Sequence, residues 1–151
     1  MEVKEQVKLR FLGVDFPSVQ FTSVKQYLPD DGNPVSITIV PKAFLPKDRL
    51  HVFHVLMDVE VSLKEHFTLK ILGIGYFEVA SKIDVTDEMR KVFINANSTA
   101  IMFPYVRAFI STFTSNLGEL MTPIILPTQF FKGDLEEYIL PEDTTAEIPN
   151  T

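Results

Sequence analysis

The chain has 151 residues, of which 46% are hydrophobic and 23% charged, with a net charge of −6 and no cysteine. That length fits one domain, and that balance supports a packed core rather than disorder. The negative charge argues against nucleic acid or an anionic membrane as the main partner, and the lack of cysteine excludes disulfides, thiol catalysis and cysteine-held zinc.

Residues 1–8 are charged and contain no apolar stretch, so they do not read as a secretory signal. No apolar run reaches the ~18 residues of a membrane span. The expectation is a cytoplasmic protein with no membrane insertion. Residues 3–25 read as a long edge strand, because Val7, Leu9 and Phe11 alternate with Lys8 and Arg10, and Val19 and Phe21 resume the alternation. Gly13 and Pro17 predict a bulge or bend between those halves. Residues 29–34 are a turn cluster of Pro, Asp, Gly and Asn. Val35, Ile37 and Ile39 alternate with Ser36 and Thr38, so 35–40 is a short strand. A proline-bracketed loop follows over 41–48 and carries Phe44 and Leu45.

Residues 51–63 are the clearest segment. Phe53, Val55, Met57, Val59, Val61 and Leu63 share one face, and His54, Asp58, Glu60, Ser62 and Lys64 the other. A second long strand runs over 67–79, too close behind for a crossover, so the two form an antiparallel hairpin. Gly73 and Gly75 inside it mark a bulge or a close approach by another group.

Helical signals start at Thr86 or Asp87, either of which suits an N-cap, with Met89, Val92, Phe93 and Ala96 as one stripe. Residues 95–99 read as a break. A long helix then covers about 100–117 and stops at Gly118. Residues 122–127 are extended and apolar, and 129–140 read as a short terminal helix. The predicted fold is α+β: a four-stranded antiparallel sheet, then a long helix and a short C-terminal helix. One domain spans 1–140, and 141–151 is an acidic, disordered tail.

Sites for chemistry are few. His51 and His54 stand three apart on a strand, so they point to opposite faces and do not chelate one ion together. Asp58 and Glu60 share a face, but one with the look of a solvated sheet surface. Gly73-Ile74-Gly75 lacks the spacing and following helix of a dinucleotide loop. No Gly-x-Ser-x-Gly occurs. Nothing points to an enzyme, a cofactor or a metal.

The uncharged stretch is more telling. Between Ser98 and Phe131 only Arg107 and Glu119 carry charge. Met102, Val106, Phe109 and Phe113 form one apolar stripe on the long helix, and Phe103, Ile110 and Leu117 a second. A helix with so little polar face either packs on the sheet and against a second subunit, or is the central helix of a monomeric core. The apolar residues in irregular places, Phe44, Leu45, Phe130, Phe131, Tyr138, Ile139 and Leu140, have two readings also. They fill gaps in the core, or they line a groove for apolar polypeptide.

Met102-Phe103-Pro104-Tyr105-Val106-Arg107-Ala108-Phe109-Ile110 resembles the Leu-Phe-Pro-Tyr-Ala-Arg-x-x-Ile segment of the SecB export-chaperone family. Pro123-Ile124-Ile125-Leu126-Pro127-Thr128-Gln129-Phe130 is similar to that family's Leu-x-Leu-x-Pro-Val-Asn-Phe, and Gly75-Tyr76-Phe77 to its Gly-Ile-Phe. The resemblance implies a homotetramer, a dimer of dimers, that holds unfolded precursor proteins for export without ATP or metal and passes them to the SecA motor. It implies a peptide groove between the sheet, the crossover loop and the second helix. By position, that groove takes Phe44, Leu45, Phe53, Val55, Phe130, Phe131, Tyr138 and Ile139. With the uncharged helix, it implies contact between copies through Tyr105, Val106, Phe109, Ile110, Phe113 and Thr114. The family meets SecA partly through acidic residues on the sheet, where this chain has Lys70 and, in the first strand, Ser18. SecA is therefore an open partner. The alternative is a chaperone or adaptor dedicated to one partner, such as an antitoxin, on the same fold.

Overall fold

Alternation of apolar and polar residues builds the sheet. The computed structural model describes residues 8–29, 34–80, 84–128 and 135–138. Four long strands, β1 (Lys8–Ser23), β2 (Ser36–Phe44), β3 (Val52–Leu63) and β4 (Phe67–Ala80), pair antiparallel in the order β1-β4-β3-β2. The β3–β4 hairpin turns over Lys64, Glu65 and His66, with Glu65 at φ +69° closing it. β1 shifts register against β4 between Phe11 and Gly13 and again between Asp15 and Ser18. Gly13 lies at φ +136°, where a side chain is strained. These two bulges stand where the glycine and proline predict one bend.

Two helices, α1 (Asp87–Phe93) and α2 (Thr99–Ser115), cover one face of the sheet. Thr86 caps α1, its Oγ1 accepting from the Met89 N–H at 3.2 Å. The break expected over 95–99 is instead a wide π-helical turn, Ile94–Ser98, that joins the helices without leaving helical backbone. The Ser98 hydroxyl donates to Ile94 O at 2.6 Å within it, so these poor helix formers are held by a side chain.

The core lies between sheet and helices. Phe53, Val55, Met57, Val59, Val61 and Leu63 all point into it, and Met102, Phe103, Val106, Ile110 and Thr114 meet them from α2. Ile124 and Leu126, in the irregular chain after α2, close its far side, while Ile125 between them is exposed. Gly73 and Gly75 are the close approach the sequence predicts: Met102 occupies the space where their side chains would be.

Three expectations are corrected. β2 runs on through Pro41 to Phe44, so Phe44 stands on a strand. Proline is accepted because β2 is the outer strand of the antiparallel ladder. On α1 the buried residue is Arg90, 1% exposed, whereas Val92 is 65% exposed. Third, Glu136–Glu137 forms a two-residue strand, β5, parallel to β2, where a helix was expected over 129–140. Residues 129–134 and 139–140 of that segment, and the tail 141–151, lie outside the described residues.

Candidate functional site: the outer face of the sheet

The face turned away from the helices changes character along its length. Cross-strand rows run Phe44–His54–Tyr76, then Lys42–Leu56–Ile74, Val40–Asp58–Leu72, Thr38–Glu60–Lys70 and Ser36–Ser62–Thr68. The first three rows carry most of the apolar groups, and the last two are polar. Leu56 and Ile74 are buried although they face outward, and Phe44, Leu72, Tyr76 and Tyr138 pack against them. This second apolar cluster is separated from the main core by the thickness of the sheet.

Aromatic rings frame it. Phe44 lies 5.8 Å from the His54 ring and 6.4 Å from Tyr138 between centroids, and Tyr76 meets His54 edge-on at 4.8 Å. The Tyr76 hydroxyl donates to Asp15 Oδ2 at 2.9 Å. Burial, then the Asp15 hydrogen bond and charge, push the phenol up to about 12, so it remains a donor. His54 is pushed down to about 4, first by burial and then by the Arg49 charge. It is therefore neutral at pH 7, and its Nδ1 is buried without a hydrogen-bond partner. Such an atom has lost its water and gained nothing in return.

The polar end is a shallow hollow of about 330 Å³ lined by Gln20, Thr38, Asp58, Glu60 and Lys70, with Ser18 at its rim. Its charged groups are two acids, Asp58 and Glu60, and one base, Lys70, which stands across from Glu60. Among the described residues no three His, Cys, Asp or Glu side chains are grouped to hold a metal ion. No helix among them is long and apolar enough to cross a membrane.

Of the groove residues read from the sequence, the structure brings together Phe44 and Tyr138. Leu45, Phe53 and Val55 belong to the main core, with Phe53 and Val55 wholly buried under the helices. The physical reason is alternation: a strand that sends Phe53 and Val55 inward sends His54 and Leu56 outward. Phe130, Phe131 and Ile139 lie outside the described residues. His54, Leu56, Leu72, Ile74 and Tyr76 were missed. Leu56 was the available signal, being an apolar residue at an outward position of an otherwise regular pattern.

The residues expected between copies are largely used within one. Val106, Ile110 and Thr114 are fully buried toward the sheet. Phe109 stacks on Phe16 at 4.0 Å, and Phe113 meets Phe21 edge-on at 6.1 Å. Only Tyr105 is exposed, at 50%, with Phe11 beside it at 4.8 Å. The outward side of α2 shows Ala100, Pro104, Tyr105, Ala108, Thr112 and Ser115, none of them charged. Both apolar stripes of this helix pack on the core of the protomer.

Buried Arg90 ties the loop after β2 to α1. Its Nη1 donates to Pro46 O at 2.8 Å, Val52 O at 3.0 Å and Arg49 O at 3.2 Å, and its Nη2 pairs with Asp87 Oδ1 at 2.6 Å. The loop that begins one residue after Phe44 is thereby held from inside, which fixes the rim of the outer cluster.

No family model matches the chain. It is 29% identical over 132 residues to the uncharacterized protein MJ0357 of Methanocaldococcus jannaschii, covering 84% of this chain and 82% of that protein. Its fold is that of the SecB-like chaperone Rv1957 of Mycobacterium tuberculosis, solved in complex with a ChAD peptide from the Rv1956 HigA1 antitoxin. The TM-score is 0.64 at 15% identity, over 79% of this chain and 89% of that one. The α+β order read from the sequence, strands followed by helices, is the order found.

Proposed function

We propose that this protein is a chaperone that uses no nucleotide and holds an extended, apolar stretch of polypeptide on the outer face of its sheet. One observation carries the reading: Phe44, Leu56, Leu72, Ile74 and Tyr76 form an apolar cluster on the face the helices leave uncovered. A sheet face needs apolar residues only where something packs on it. The likeness in fold to a SecB-like chaperone solved with an antitoxin peptide supports a polypeptide ligand.

That likeness fits two client ranges equally. In the first, the protein holds many unfolded precursor chains, including those bound for export. In the second, it serves one dedicated partner, such as an antitoxin. The uncharged outward side of α2 supports self-association, with Ala100, Pro104 and Ala108 small enough for close helix approach.

Fluorescence anisotropy of a labelled, permanently unfolded polypeptide tests the function, with the folded form of the same polypeptide as control. Saturable binding of the unfolded form alone is expected, and no binding of either form refutes a general holdase. Capture from the source cell's lysate then separates the ranges: many clients for the first, one stoichiometric partner for the second.

A further inference from the structure

The free edge of β2 is occupied by the chain itself. Glu136–Glu137 runs parallel to Lys42 and Ala43, and the Tyr138 N–H donates to Ala43 O at 2.6 Å. Just before them the Leu135 N–H donates to Asn95 Oδ1 at 3.1 Å. The Tyr138 ring then lies edge-on to Phe44, at an angle of 68°. Residues 135–138 thus cross the rim from the helix side and place one aromatic ring on the outer cluster.

The seat is short for a reason visible in β2. Backbone groups alternate between the two edges of a strand, so Ala43 and Pro41 present their amides to the same side. Pro41 has no N–H to give. A strand added here finds the donor missing two residues upstream, and pairing is confined to the end of β2 beside Phe44. Two residues of parallel pairing hold weakly, since parallel ladders are less stable per residue and short ones marginal.

Resting on the holding function above, we infer that residues 135–138 are an intramolecular stand-in for the client. The held polypeptide enters as an extended strand, bonds Ala43 in place of Tyr138, and lays an aromatic or large apolar side chain on Phe44. Tyr138 is then a plug in the site and not part of its wall. A seat open only part of the time weakens every client by the inverse of the fraction of time it is open, so a seat open about 10–20% of the time costs about fivefold to tenfold. Polar segments do not repay that loss and are turned away, whereas strongly apolar extended ones displace the plug.

The sign of one substitution tests this. Tyr138→Pro removes both the N–H that bonds Ala43 and the ring over Phe44, at the chain's edge and away from the main core. It is expected to bind the labelled unfolded polypeptide about fivefold to tenfold more tightly than the unaltered chain. In the unaltered chain, saturating polypeptide is expected to speed amide hydrogen exchange at Tyr138 while β3 and β4 stay protected. Equal or weaker binding by Tyr138→Pro, with exchange at Tyr138 unmoved by the polypeptide, overturns the inference and leaves the holding function standing. Binding by the variant alone supports the plug in its strongest form. Binding by neither chain rejects the plug together with the function it serves.

Discussion

Met102 rests on Gly75 so closely that a methyl group there would stand 2.8 Å from its sulfur and 3.3 Å from its Cγ. The helix can lie this low on the sheet only because β4 gives up a side chain at that point. Phe77 crowds the same position, with Cε2 at 3.1 Å. Gly75→Ala is expected to cost about 1–3 kcal/mol of stability, the usual toll of overpacking a filled core. Urea unfolding measures it, and an unchanged midpoint would mean that α2 can lift without loss.

Neighbouring positions on one strand pair separate the two faces by function. Phe44→Ala is expected to keep the fold and weaken binding of unfolded polypeptide about tenfold, ~1.4 kcal/mol. Phe53→Ala, in the main core, is expected to destabilise the protein by about 3–5 kcal/mol. Anisotropy and thermal unfolding on both variants check the assignment, which fails if Phe44→Ala binds as tightly as the unaltered chain.

Arg90 should be far more costly to replace than its place on a short helix implies. Arg90→Met strands the carbonyls of Pro46 and Val52, while Arg49 O keeps the Val52 N–H, and is expected to lose about 2–4 kcal/mol. Arg90→Lys keeps the charge but not the planar fork, so an intermediate loss is expected. Chemical unfolding of both gives the order. Its partner Asp87 is held below the usual carboxylate range, mainly by the hydrogen bond to Arg90. That contribution is complete above the ordinary value of 3.8 and fades as pH falls below it. Asp87→Asn should remove this acid-side slope.

His54 adds a second pH dependence at milder acidity. Its pKa falls from 6.5 unfolded to about 4 folded, so the unfolded chain takes up the proton first. Stability is therefore greatest above pH 6.5, declines as pH falls toward 4, and is indifferent to this group below that. His54→Leu should flatten the melting temperature across that window. A slope that survives the substitution would place its origin elsewhere.

Assembly is tested on the outward side of α2. Ala108→Glu adds a charge where the helix has none, without entering the core. Sedimentation velocity is expected to show smaller particles for the variant if copies meet there. Charged substitution at Phe109 would be uninformative, because its ring is stacked on Phe16 inside the protomer.

The strands were legible because each buries one face, so a period of two is written into Val55, Met57, Val59 and Val61. The helix beginning was legible from Thr86. The outer cluster was less so. Leu56 and Ile74 are single departures from alternation, and they meet only through the register of β3 against β4, which local sequence does not state. Arg90 was illegible for a related reason. Its partners are carbonyls some forty residues earlier in the chain, and any residue type supplies a carbonyl. The stripe on α1 was misplaced because the buried side of this stretch runs through Arg90 and Ile94, four residues apart, and an arginine does not read as a core residue.

The sheet order has a consequence for how the chain comes to be folded. β1 is made first but pairs with β4, so Phe11 waits for Phe77 and Lys8 for Ala80. The β2–β3 and β3–β4 pairs close locally, whereas joining β1 to β4 closes a large loop, which is slow relative to forming a hairpin. During synthesis a long strand with a half-apolar face leaves the ribosome and stays unpaired until the last sheet strand emerges. The nascent protein thus passes through an interval in which it is itself the kind of chain that a holdase would hold.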